Sequence, residues 1–263
     1  MSRSAFLTGF CLVLFVVAPP SKATAQTRKA AAQTRKATAA SYVELGDKWA
    51  HHEDFDRAIS AYNIALEFAP DFAPAYFKRG IAQQARGDFS KAIADYTRTL
   101  EIVPRWAEAY GNRGYARAMQ QDVEEALADW AAALEINPNL TNVFYNRANL
   151  RLNQGDLDAA VADYDRALER DPDYVMAYNN RGIARLGKGD IEGAIADFTQ
   201  AIKIDPHHPE AYANRGLIRL QQGKKIEAEQ DFAQSIALRP SVKAFIEKRI
   251  VEISLQYITR LGN

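Results

Sequence analysis

Six prolines, Pro70, Pro104, Pro138, Pro172, Pro206 and Pro240, recur every 34 residues in this 263-residue chain without one insertion or deletion. A fixed period of that length means one supersecondary unit copied in tandem. Each copy is too small to bury its own apolar face, so neighbours must stack to share a core. With each unit ending two residues after its proline, six units span 39–72, 73–106, 107–140, 141–174, 175–208 and 209–242.

Four positions explain how such a unit folds. Position 4 is always aromatic (Tyr42, Tyr76, Tyr110, Phe144, Tyr178, Tyr212), and so is position 24 (Tyr62, Tyr96, Trp130, Tyr164, Phe198, Phe232). Position 20 is always Ala, and position 8 is Gly at 46, 80, 114, 182 and 216, with Ala148 the exception. Small residues let two helices approach closely while the large rings fill the space beside the contact. Gly87-Asp88, Gly155-Asp156 and Gly189-Asp190 supply a residue tolerant of positive φ followed by a helix cap. The closing proline cannot continue a helix.

This pattern resembles the tetratricopeptide repeat, a helix–turn–helix unit of 34 residues. The resemblance implies an all-α, right-handed superhelical solenoid of six repeats whose first helices line a concave groove. Beyond it, Ile246, Ile250, Ile253, Tyr257 and Leu261 share one face of a helix over 243–263. That helix is expected to cap the last repeat. Phe245, Val251, Leu255 and Ile258 widen its apolar surface, which leaves a homodimer contact as the alternative.

Near its start the chain carries Arg3, an apolar run from Ala5 to Ala18, and small residues up to Ala25, the order of a secretory signal. Cleavage after Ala25 and a periplasmic or secreted location are expected. The run falls short of the roughly 20 apolar residues of a membrane span. The single cysteine, Cys11, lies inside it, so no disulfide is expected in the mature chain. Residues 26–38 contain AQTRKA twice and read as a basic, solvated linker.

Lys plus Arg and Asp plus Glu balance at 33 each, and the excess of acids after residue 38 disfavours nucleic acid as a partner. No phosphate loop, HExxH or GxSxG motif is present, so neither an enzyme, a cofactor nor a metal is expected. His51-His52 and His207-His208 are adjacent pairs whose side chains point apart, and they read as surface residues.

Two further patterns carry information. Position 7 is Arg at 79, 113, 147, 181 and 215, and in those units position 23 is Asp at 95, 129, 163, 197 and 231; the first unit has Leu45 and Ala61 instead. The two positions switch together, as an Arg–carboxylate pair between the helices of a unit requires. Arg117, Arg151, Arg185 and Arg219 at position 11, interspersed with acids, read as a solvated or salt-bridged face.

The functional signal is position 6, which carries Asn112, Asn146, Asn180 and Asn214. A row of amides can bond an extended peptide backbone without reading its side chains. It resembles the asparagine ladder in the repeat domain of O-linked N-acetylglucosamine transferase. In the fourth unit Asn142, Asn146, Asn149 and Asn153 form a full stripe on one helix, and Tyr115, Tyr145 and Asn179 add candidate contacts. Positions 2 and 5, where the family's clamp for acidic chain termini places basic residues, hold no Lys or Arg. The expected role is therefore an exported scaffold or chaperone-like adaptor that binds a protein or peptide segment. Self-assembly through the terminal helix is the alternative.

Overall fold

The computed structural model describes residues 22–261, with side chains from residue 24 to residue 253. The expected leader up to residue 21, with Cys11, and the side chains of Leu255, Tyr257, Ile258 and Leu261 lie outside the described residues. Among the described residues there are thirteen α-helices and no strand: α1 (Lys22–His51), α2 (Phe55–Phe68), α3 (Ala73–Ala85), α4 (Phe89–Ile102), α5 (Ala107–Met119), α6 (Val123–Ile136), α7 (Thr141–Gln154), α8 (Leu157–Arg170), α9 (Val175–Gly187), α10 (Ile191–Ile204), α11 (Pro209–Gln221), α12 (Lys225–Leu238) and, after a 3₁₀ turn (Pro240–Val242), α13 (Lys243–Leu261). The first twelve pair into six antiparallel hairpins stacked into a right-handed superhelical solenoid.

The close approach within each hairpin is visible at the glycines. A Cβ placed on Gly80 would lie 2.7 Å from the ring of Tyr96, and one on Gly182 would lie 2.7 Å from the ring of Phe198. The aromatic rings of position 24 are buried, and the alanines of position 20 are fully so. The turn between the helices always places one residue in the left-handed region. Gly87, Gly155, Gly189 and Gly223 take φ near +80°, and Glu53 and Gln121 adopt the same conformation without glycine's freedom. Asp54, Asp156 and Asp190 then cap α2, α8 and α10 by accepting from the backbone N–H three residues on.

Residues 26–38 are helical, which differs from the irregular spacer their polarity suggests. They extend α1, and residues 24–37 are exposed. Ala, Gln, Lys and Arg are good helix formers, and the packed segment from Ala39 onward supplies the nucleus that an isolated helix lacks.

All five Arg–Asp pairs form. Each guanidinium grips its aspartate with two bonds, as in Arg147 Nε and Nη2 to Asp163 at 2.8 and 2.7 Å. The arginines of position 11 join the same carboxylates: Arg117 to Asp129 at 2.6 Å, Arg151 to Asp163 at 2.7 Å, Arg185 to Asp197 at 3.0 Å and Arg219 to Asp231 at 2.8 Å. Asp129, Asp163, Asp197 and Asp231 thus each hold two cations and tie the second helix to two turns of the first, whereas Asp95 holds Arg79 alone, Gln83 standing at position 11 of its unit. Arg79 is held above its ordinary pKa by its bonds to Asp95.

The last repeat is closed by α13. Ile246 is buried, and Ile250 and Ile253 pack against the cluster containing Leu217 and Phe232. Phe245 and Val251 stay exposed, at 50% and 57%.

Candidate functional site

Successive first helices touch one another along the whole stack (α1–α3, α3–α5, α5–α7, α7–α9, α9–α11), whereas successive second helices make no comparable contact. The stack therefore curves with its first helices on the inner, concave side. Position 6 lies on these helices, so the asparagine row belongs to this face.

In the C-terminal half the amides bond one another. Asn180 Nδ2 donates to Asn149 Oδ1 at 2.9 Å and to the Tyr145 hydroxyl at 3.2 Å. Asn179 Nδ2 donates to Asn180 Oδ1 at 3.0 Å, and Asn214 Nδ2 donates to Asn179 Oδ1 at 3.0 Å. The buried Tyr164 hydroxyl also donates to Asn149 Oδ1. Burial, reinforced by Tyr145, pushes the Tyr164 pKa well above the ordinary phenol value. One amide chain thus runs through α7, α9 and α11.

The first two units carry the same bridge in charged form. Asp47 accepts from the Tyr62 hydroxyl at 2.8 Å and pairs with Lys78 at 3.1 Å, across the same 31-residue offset that separates Asn149 from Asn180. In the first and fourth units, where position 9 is Asp47 and Asn149, it therefore supports the ring of its own unit and position 6 of the next. This recurrence gives Asn149 a structural task, which its place in the sequence stripe does not reveal.

The expected site residues consequently divide into two groups. Asn112 and Asn146 are half-buried and make no hydrogen bond among the described residues; Asn142 and Asn153 are exposed at the ends of the stripe. These four offer free amides. Asn149, Asn180 and Asn214 present amides already engaged with the fold. Two further expected contacts are engaged with the fold. Asn179 is only 4% exposed and bonds Asn180 and Asn214, and the half-buried Tyr115 packs edge-on against Phe89 beside the core around Trp130.

The concave face changes character along its length. Beyond Asn214 it becomes apolar, with Ile183, Leu217, Phe245 and Ile253 lining a cleft of about 330 Å³ that α13 helps to enclose. The sequence reading missed this contribution of α13. Phe245 lies beside the helix's capping stripe, and that sideways position is the signal that could have found it.

His208 is a further correction: it is buried, with Nδ1 2.9 Å from Glu210 and Nε2 without a partner among the described residues. It occupies position 34, where the other units carry Phe72, Trp106, Leu140, Tyr174 and Val242, and that comparison would have placed it inside. Among the described residues no cluster of His, Cys, Asp and Glu could hold a metal ion, and no helix is long and apolar enough to cross a membrane.

Comparison with known proteins agrees with this architecture. The chain is similar to a crystal structure of MamA protein (27% identity, TM-score 0.58, covering 64% of this chain and 92% of that one). It also resembles YrrB, described as a TPR protein with an unusual peptide-binding site (24% identity, TM-score 0.54, 65% and 88% covered). Pseudomonas aeruginosa pilF shares the fold at 17% identity with a TM-score of 0.73 over 83% of this chain and 99% of that one. No curated protein sequence matches. The tetratricopeptide repeat model matches residues 77–140, 145–209 and 181–242, and the chain therefore belongs to the tetratricopeptide repeat family.

Proposed function

We propose that this chain is an exported, non-catalytic scaffold or chaperone-like adaptor that holds an extended segment of a partner protein along its concave face. The observation that carries this reading is the pair Asn112 and Asn146. They sit at the same position of adjacent first helices, and neither amide is used inside the described chain. A free amide offers one acceptor and two donors, the complement of a peptide backbone. Asn is also a poor helix former, by about half a kcal/mol against Ala, so two idle asparagines at mid-helix serve no local purpose. Export rests on the order of charged, apolar and small residues up to Ala25.

The free and engaged amides separate function from folding. Asn112→Ala with Asn146→Ala is expected to leave the melting temperature unchanged or slightly raised, and to abolish capture of the partner from envelope extract. Asn149→Ala is expected to lose about 1 to 3 kcal/mol of stability by stranding the Tyr164 hydroxyl. Denaturant unfolding and quantitative capture on the same three proteins check both statements. Partners retained in full by the double variant would refute the site.

A second reading has its own observation: the exposure of Phe245 and Val251 on α13. It expects a homodimer in sedimentation that Phe245→Ser with Val251→Ser converts to a folded monomer. A wild-type monomer across the micromolar range contradicts it.

A further inference from the structure

The arginines of position 7 do more than close their own hairpins. Four of the five have a second arm reaching back to the preceding repeat: Arg79 Nη1 donates to Asn63, Arg113 Nη1 to Thr97 at 3.1 Å, Arg181 Nη1 to Asp165 at 2.6 Å and Arg215 Nη1 to Thr199 at 3.2 Å. These acceptors all stand at position 25. In the third unit that position is Ala131, which offers no acceptor, and Arg147 Nη1 makes no bond among the described residues.

The other bridges fail at the same junction. Arg86 pairs with Asp56, Gln120 donates to Ser90, and Lys188 pairs with Asp158, each spanning 30 residues between adjacent repeats. The corresponding Gln154 and Glu124 do not bond, and neither do Gln222 and Glu192 at the last junction, where Arg215 and Asn214 both still reach across. On the concave side, the bridge from position 9 to position 6 forms at Asp47–Lys78 and Asn149–Asn180; Tyr115 and Asn146 do not bond among the described residues, and Ile81 and Ile183 have no polar group to offer Asn112 and Asn214. Between the third and fourth repeats only Arg170 Nε, donating to the Pro138 carbonyl at 2.7 Å in the connecting turn, crosses by a side-chain hydrogen bond among the described residues.

What remains there is apolar. Val143 and Leu140 pack with Trp130 and Ala133, and Val143 lies so close to Gly111 that a Cβ there would be 2.9 Å from it. Apolar contact is non-directional, whereas hydrogen bonds and ion pairs fix orientation. In a solenoid, stability is a sum of repeat terms and nearest-neighbour interface terms, so the array divides where an interface is weakest.

We propose that the junction between the third and fourth repeats is a compliant joint that divides the solenoid into two three-repeat bodies. Asn112 and Asn146 lie on either side of it. Rotation at the joint changes the separation of the two free amides and lets the concave face adjust to its partner. That consequence rests on the groove reading; the joint itself does not.

Native-state hydrogen exchange of the full chain in rising denaturant tests the joint without any ligand. Two cooperative units meeting near residues 140 and 141 are expected, with α7 less protected than α9. Ala131→Asp gives Arg147 the acceptor that Asp165 gives Arg181, and is expected to raise protection of α7 by about tenfold, the fold-change of one charge-assisted bond. Ala131→Thr, the residue type of positions 97 and 199, repeats the test without an added charge. A single cooperative unit, a boundary elsewhere, or protection unmoved by both substitutions would overturn the proposal. Because these readouts need no partner, they can fail while the Asn112 and Asn146 experiment succeeds, and the reverse.

Discussion

Asp163→Ala is expected to lower the unfolding free energy by about 3 to 5 kcal/mol, the range for removing one partner of a buried ion pair. The side chain of Asp163 is 4% exposed and holds Arg147 at 2.7 Å and Arg151 at 2.7 Å, themselves only 16% and 27% exposed. Removing the carboxylate strands two cations at once. Arg147 cannot turn to another acceptor, since Ala131 stands where the other repeats place one. Asp95→Ala is expected to lose less, because Asp95 holds one arginine where Asp163 holds two, and that arginine, Arg79, keeps its bond to Asn63. The combined Arg147→Met, Arg151→Met and Asp163→Leu variant should recover most of the loss, since replacing a whole buried ionic group by apolar residues is often neutral. Chemical denaturation of the four proteins checks the order. Equal losses for Asp163→Ala and Asp95→Ala would contradict the stranding of two arginines in the one and of a single, still-bonded arginine in the other.

Phe198→Ala is expected to be comparably severe, at about 3 to 5 kcal/mol, the range for emptying a large aromatic site. Phe198 is fully buried beneath Gly182 and lies in the cluster that joins Ala194 to Ile218 of the next repeat, so its loss weakens a hairpin and an interface together. The complementary change, Gly182→Ala, drives a methyl to 2.7 Å from the ring and should lose about 1 to 3 kcal/mol by overpacking. The fourth repeat carries Ala148 at the same position, so the helix spacing can adapt when the whole repeat is built for it. Thermal melts monitored by circular dichroism check both. A Gly182→Ala melt equal to wild type would show that the close approach is not what sets the hairpin.

These two contacts explain why so much of the fold was legible in the sequence. The packing of Gly and Ala against a ring, and the pairing of Arg with Asp, are set by residue size and charge, and they recur with the 34-residue period. The concave amides were harder to read. Asn112, Asn146 and Asn180 occupy one repeat position, but only Asn180 finds Asn149 and Tyr145, because the partner is set by position 9 of the previous repeat. An offset of 31 residues belongs to no helical period, so a stripe on a single helix cannot show it. His208 was missed for a related reason: alone it looks polar and exposed, and only its equivalents at position 34 mark it as buried. The helical extension of α1 escaped because polarity was given more weight than the helix propensity of Ala, Gln, Lys and Arg.

The central claim is that the concave first helices hold the partner. Hydrogen exchange of the wild-type chain, alone and saturated with a synthetic peptide of the captured segment, tests it most directly. The account predicts slowed exchange in α5, α7 and α9 around Asn112, Asn146 and Asn180, with α4, α6 and α8 unchanged. Protection confined to α13, or to the second helices, would contradict it.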